Sequence, residues 1–99
     1  MIDFKKDPLR YVLNAAYQQA MRGKGAERHA DERPFQDQVW RKITDAVGVG
    51  FPLGQALKKC DESKRLQREA AIRDLLGAIN YTAMAVIELM EGEDEKERK

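Results

Sequence analysis

Residues 72–90, IRDLLGAINYTAMAVIELM, decide the fold that the sequence predicts. Six apolar or small residues recur in this stretch at alternating spacings of four and three, the repeat of one stripe along an α-helix. We call this stripe the seam, and its members are Ile72, Leu76, Ile79, Ala83, Val86 and Met90. The spacing predicts one long helix from about Lys64 to Met90, with Leu75 and Ile87 widening the seam.

A second stripe of small and apolar residues follows the same helix. It consists of Gly77, Ala78, Tyr81, Met84 and Ala85. Its small members permit close contact with another helix, and a helix that is apolar on two sides is central in a bundle or shared between subunits. We therefore expect a homo-oligomer formed through the 64–90 helix, with the seam as the oligomer interface.

Shorter helices precede the long one. Asp7 followed by Pro8 is typical of a helix start, and apolar residues recur from there until the glycine at position 23. Pro34 begins a second predicted helix that ends near Val47, and residues 53–60 predict a third helix of about two turns. No strand-like alternation of useful length appears. The predicted fold is all-α, with three or four helices packed as a bundle.

Several single residues are expected to fill the core of this bundle. The aromatic residues are spaced as core anchors, and the only cysteine follows the apolar stripe of the third helix. These residues are Phe35, Trp40, Phe51 and Cys60. A lone cysteine cannot form an intrachain disulfide, so the sequence favours a reducing compartment.

Composition sets the broad class of the protein. Ninety-nine residues, 42% hydrophobic and 35% charged, suit one domain, which we assign to residues 1–90. Residues 91–99, EGEDEKERK, have no apolar side chain and predict a disordered tail. A net charge of +1 argues against a strongly basic nucleic-acid binder. No signal-peptide run and no long uncharged apolar stretch is present, so we expect a cytoplasmic protein without a membrane span.

The connection between the first two helices is a candidate contact for a ligand or partner. Residues 23–33, GKGAERHADER, lack helical or strand periodicity and predict a mobile loop. Basic residues cluster in and beside it: Arg22, Lys24, Arg28, His29 and Arg33. Glycine-rich backbone with basic side chains can bind phosphate, although the acidic residues of the loop nearly neutralise its charge and the spacing is not that of a P-loop.

Asp74 is the ionisable residue that lies nearest the seam. A surface ion pair with Arg73, Arg41 or Lys42 is one interpretation. The stretch AIRDLLGAIN, residues 71–80, also resembles the second motif helix of the MazG-like all-α nucleoside triphosphate pyrophosphatases, in which Glu-x-x-Asp precedes leucines and small residues. That resemblance implies Mg²⁺ as a cofactor and Asp74 as a metal ligand, with Ala71 in the position of the family's glutamate.

A broader likeness concerns origin. Segments such as GAERH at 25–29, PFQDQ at 34–38 and LGAINY at 76–81 look like small uncharacterised helical proteins of phages and prophages. The sequence thus leads to a small helical interaction or accessory module without catalysis and without a cofactor. We expect it to bind a second copy of itself through the 64–90 helix, and a protein partner as well. The alternatives are a MazG-like pyrophosphatase or its relic, and a nucleotide or nucleic-acid binder that uses the 22–33 loop.

Overall fold

The computed structural model describes residues 2–22 and 34–97, and the side chains of the last helix as far as position 92. Four α-helices lie within these residues: α1 (Pro8–Arg22), α2 (Val39–Val47), α3 (Gly50–Ser63) and α4 (Arg68–Glu97). A 3₁₀ helix, Phe35–Asp37, precedes α2, and the described residues include no strand. The prediction of an all-α bundle with one long C-terminal helix is confirmed.

Helix α1 begins where the sequence places it. The Asp7 side chain caps the helix, because its Oδ1 accepts a hydrogen bond of 3.1 Å from the backbone N–H of Arg10. Pro8 takes the first helical position, where the missing N–H leaves no intrahelical bond unmade. The helix ends at Arg22, as predicted, and Ala16 is its fully buried residue.

The second predicted helix is shorter than the sequence suggests. Residues from Phe35 to Asp37 form the 3₁₀ turn, Gln38 is extended, and the α-helix begins at Val39, so a continuous helix from Pro34 is wrong. The break lets the indole N–H of Trp40 donate to the Phe35 carbonyl at 2.7 Å. Trp40 is buried, which confirms it as a core residue.

Helix α3 is longer than predicted, with 14 residues where the sequence suggests about two turns. Pro52 lies in its first turn, where proline does not interrupt the hydrogen-bond ladder. Only Pro52 and Ala56 are buried, whereas Leu57 and Cys60 are exposed. The prediction of Cys60 as a core residue is therefore wrong, because burial on α3 is confined to Pro52 and Ala56 in the first half of the helix.

Helix α4 is the element on which the others assemble. It packs most extensively against α3, and it also contacts α1 and α2. It begins at Arg68 rather than Lys64, since a turn in which the Lys64 N–H bonds to the Asp61 carbonyl separates it from α3. Its backbone continues to Glu97, beyond the predicted end at Met90. The disordered tail over residues 91–99 stays a prediction.

Candidate interaction face

The second stripe of α4 is the side that faces the bundle. Ala78, Met84 and Ala85 are buried, and so is Gly77. A Cβ atom built on Gly77 would lie 2.9 Å from Cδ of Lys59 on α3 and 3.7 Å from Nε2 of Gln19 on α1. Side chains from α1 and α3 thus both reach α4 at this glycine, where a larger residue would meet them.

Polar contacts fix how α4 is rotated within the bundle. The Asn80 side-chain amide donates to the Ala16 carbonyl of α1 at 2.9 Å. The Gln19 amide of α1 donates to the Arg73 carbonyl at 3.3 Å. From Ala16 to Gln19 along α1, the residue contacted on α4 moves back from Asn80 to Arg73, so the two helices are antiparallel. Phe51 and Tyr81 make an edge contact between α3 and α4, with ring centroids 6.4 Å apart.

The opposite side of α4 carries large apolar side chains that no part of the described chain covers fully. Five of them form what we call the outer face, with exposed fractions of 47% for Ile72, 43% for Leu75, 48% for Val86, 56% for Leu89 and 64% for Met90. The remaining seam residues lie among them: Ala83 is exposed, and Leu76 and Ile79 are half-buried. The structure therefore leaves the predicted oligomer interface accessible, and its use as an interface stays a prediction.

One member of the outer face was missed by the sequence reasoning. Leu89 lies fourteen positions after Leu75, and both occupy the same edge of the seam at a spacing of two heptads. The residue midway between them is Thr82, whose hydroxyl donates to the Ala78 carbonyl at 2.8 Å. This polar residue interrupts the apolar repeat, and a heptad register extended through it would have found Leu89.

A charged cluster joins α2 to the end of α4. The Arg41 guanidinium on α2 contacts three carboxylates, with Nε 3.3 Å from Asp45 Oδ1 and 3.2 Å from Glu88 Oε1, and with a further bond to Glu91. Arg41 Nε donates to Asp45. The Oε1 atom of Glu88 is buried and receives no hydrogen bond within the described residues, despite its nearness to Arg41.

The surroundings of Glu88 disfavour its charged form. Burial raises the pKa of Glu88, the neighbouring Asp45 carboxylate raises it further, and the positive charge of Arg41 opposes these effects. The bond to Glu91 in turn raises the pKa of Arg41, which stays protonated throughout. The cluster therefore ties α2 to α4 through one cation and three carboxylates.

Asp74 lies on the inner side of α4, and its partner differs from those that the sequence suggested. Its carboxylate is 4.0 Å from the Lys59 ammonium on α3, rather than paired with Arg73, Arg41 or Lys42. Arg41 is instead engaged by the cluster at the end of α4. Within the described residues, no group of three or more His, Cys, Asp or Glu side chains is placed to hold a metal ion. The role of Asp74 as a magnesium ligand stays a prediction.

The basic loop falls mostly outside the described residues. Arg22 is exposed at the end of α1. Residues 23–33, with Lys24, Arg28, His29 and Arg33, lie outside the described part of the chain. The prediction of a mobile loop that contacts phosphate or a partner is therefore neither supported nor contradicted by the fold.

Helix α4 is also long and apolar enough to cross a membrane, by length and composition alone. The qualifying segment spans Arg68–Gly92, with a mean hydropathy of 1.2 in its most apolar window, of which 17% is buried. The core helices of soluble proteins pass the same test, although those are mostly buried. The low burial of this segment again marks α4 as a helix with an uncovered apolar side.

Comparisons of the chain with protein-family models, with curated proteins and with solved structures found no match. The resemblances to MazG-like pyrophosphatases and to phage proteins remain predictions from the sequence. The feature that points to a function is the apolar surface that α4 leaves exposed.

Proposed function

We propose that this chain is a non-catalytic helical interaction module that self-associates through the outer face of α4. One observation carries the proposal: five large apolar side chains share one side of a single helix, and 43% to 64% of each is exposed. Contiguous exposed apolar surface of this kind is typical of an interaction site. A second copy of the chain presents the same surface and therefore matches it.

The energy available from covering this face is appreciable. Full burial of a Val, Leu, Ile or Met side chain contributes about 1.5 to 3 kcal/mol, so burial of the exposed half contributes about 1 kcal/mol for each. The face extends from Ile72 to Met90, 18 residues apart, which is about 27 Å along a helix. Ten such side chains, five from each copy, contribute about 10 kcal/mol, and an association cost of about 4 kcal/mol leaves about 6 kcal/mol, which corresponds to a dissociation constant of some tens of micromolar.

The other hypotheses from the sequence gain no support from the described residues. A MazG-like pyrophosphatase needs further carboxylates beside Asp74, whereas the group nearest this carboxylate is the Lys59 ammonium. A phosphate-binding loop depends on residues outside the described part of the chain. Both hypotheses, and an origin in a phage or prophage, stay predictions.

Sedimentation equilibrium of the wild type and of two matched variants tests the proposal. Val86 on α4 and Leu13 on α1 are exposed to almost the same extent, 48% and 49%. Glutamate at either site therefore costs the isolated chain little, but Val86→Glu places a charge within the proposed interface. We expect the wild type and Leu13→Glu to form dimers or larger oligomers, and Val86→Glu to be a monomer with unchanged helix content.

Two results would contradict this proposal. The first is a monomeric wild type at about 100 µM, a concentration that detects even weak association. The second concerns lipid: a wild type that is monomeric in solution but floats with lipid vesicles, and no longer floats as Val86→Glu, would assign the outer face to a bilayer.

A further inference from the structure

We infer that two copies pair through the outer face with their α4 helices antiparallel, so that Leu75 of each copy lies against Leu89 of the other. This inference rests on the proposed self-association and adds to it the direction of pairing. Three features of α4 support it: the flank that α1 covers, the residues that each direction would bring together, and the distribution of charge along the helix.

The seam has a flank on either side, and only one of the two flanks carries exposed apolar residues. Leu75, Thr82 and Leu89 line the first flank, and all three are exposed. The second flank adjoins α1, because Asn80 donates to the Ala16 carbonyl at 2.9 Å and the Arg73 carbonyl accepts from Gln19. A second copy therefore meets more exposed apolar surface on the flank that carries Leu75 and Leu89 than on the flank beside α1.

The direction of pairing decides which flanks meet. In a parallel helix pair, the flank that carries Leu75 lies against the flank of the other helix that carries Asn80. In an antiparallel pair, the two flanks that carry Leu75 lie against each other. A parallel dimer would place Leu75 against Asn80, which α1 already engages, and would bring Arg68 beside Arg73. An antiparallel dimer places the exposed leucines against each other. It therefore buries apolar surface on the flank that carries the leucines and avoids the contact between Arg68 and Arg73 that parallel pairing would create.

Charge along the helix favours the same direction. Residues 64–73 include four basic residues and one acidic residue, whereas residues 88–97 include six acidic residues and one basic residue. Lys64, Arg68 and Arg73 at the basic end are exposed. Antiparallel pairing sets the basic end of each copy beside the acidic end of the other, while parallel pairing superposes ends of like charge.

Disulfide trapping measures the direction directly. Because Cys60 is exposed, the experiment uses a Cys60→Ser background. One variant in this background carries Ile72→Cys and a second carries Met90→Cys, and both substitutions are at exposed seam positions. In an antiparallel pair centred on Tyr81, position 72 faces position 90 of the second copy, whereas two copies of position 72 are about 27 Å apart. A disulfide needs Cα atoms within about 7 Å.

We expect the two variants, mixed and oxidised, to give at least about tenfold more cross-linked dimer than either variant alone, since only the mixture brings two thiols into range. Efficient cross-linking of either variant alone would show parallel pairing and overturn the inference. A dimer by sedimentation that cross-links in no sample would place the contact on another face and overturn it as well. A monomer by sedimentation would instead refute the proposed function itself.

Discussion

Replacement of Ala85 by leucine tests which side of α4 faces the core. Ala85 is 3% exposed and lies on the side that packs against the other helices, so three added carbons have no free space. Overpacking of this kind costs about 1 to 3 kcal/mol. For a domain of this size each kcal/mol lowers the melting temperature by about 4 to 8 °C, so we expect a fall of roughly 5 to 20 °C. Far-UV circular dichroism during heating measures it.

Ala83→Leu is the matched control, since the same atoms are added to the same helix two residues away. Ala83 is exposed on the seam, so the larger side chain points away from the core. We expect Ala83→Leu to melt at the wild-type temperature or above it, because a dimer would bury the added apolar surface. Both variants are compared at several protein concentrations, since association makes melting temperatures concentration-dependent. Equal melting temperatures for Ala85→Leu and Ala83→Leu would refute the assignment of the two sides.

Three further predictions concern other parts of the chain. The pKa of Glu88 is raised in the folded state, so the stability that this residue contributes is complete below its unfolded pKa of about 4.3 and is lost as the pH rises through the folded value. The wild type should therefore melt at a lower temperature as the pH rises above that value, and Glu88→Gln should reduce this decrease because glutamine does not ionise. The same dependence of melting temperature on pH in both proteins would contradict the raised pKa of Glu88. Gly48 ends α2 with φ at 92°, so Gly48→Ala should lower the free energy of unfolding by about 1 kcal/mol, whereas Gly54→Ala, in the open helical surface of α3, should not. Incubation with deoxynucleoside triphosphates and Mg²⁺ should release no pyrophosphate, because Ala71 replaces the glutamate that the resembling family carries; release that Asp74→Ala abolishes would favour the enzyme.

Local signals account for the parts of the fold that the sequence predicts well. The side chain of Asp7 and the ring of Pro8 fix the start of α1 through contacts within one turn, and the periodicity of residues 72–90 specifies a long helix. The boundaries of α2 and α3 were predicted less well. A bond from the indole of Trp40 to the Phe35 carbonyl stabilises the 3₁₀ turn before α2, and Pro52 is accommodated because it lies within the first turn of α3.

The interaction face shows what periodicity can and cannot decide. The sequence identified both apolar sides of α4, because each repeats at helical spacing. It could not show which side α1 and α3 cover, since hydrophobicity alone favours burial of the larger residues. In the structure the smaller residues face inward, and at Gly77 the side chains of Lys59 and Gln19 occupy the space that a larger residue would take. The larger seam residues remain outside as a consequence.

The outward position of these large side chains follows from specific contacts rather than from loose packing. Rotation of α4 to bury Ile72 and Val86 would break the bond from Asn80 to the Ala16 carbonyl and would move Asp74 away from Lys59. It would also place bulky side chains where α1 and α3 meet Gly77. The helices within the described residues therefore do not cover the outer face through such a rotation. Burial of that face needs a further surface, and under the pairing that we propose an antiparallel copy of α4 would supply one with apolar residues at matching heights and opposite charge at each end.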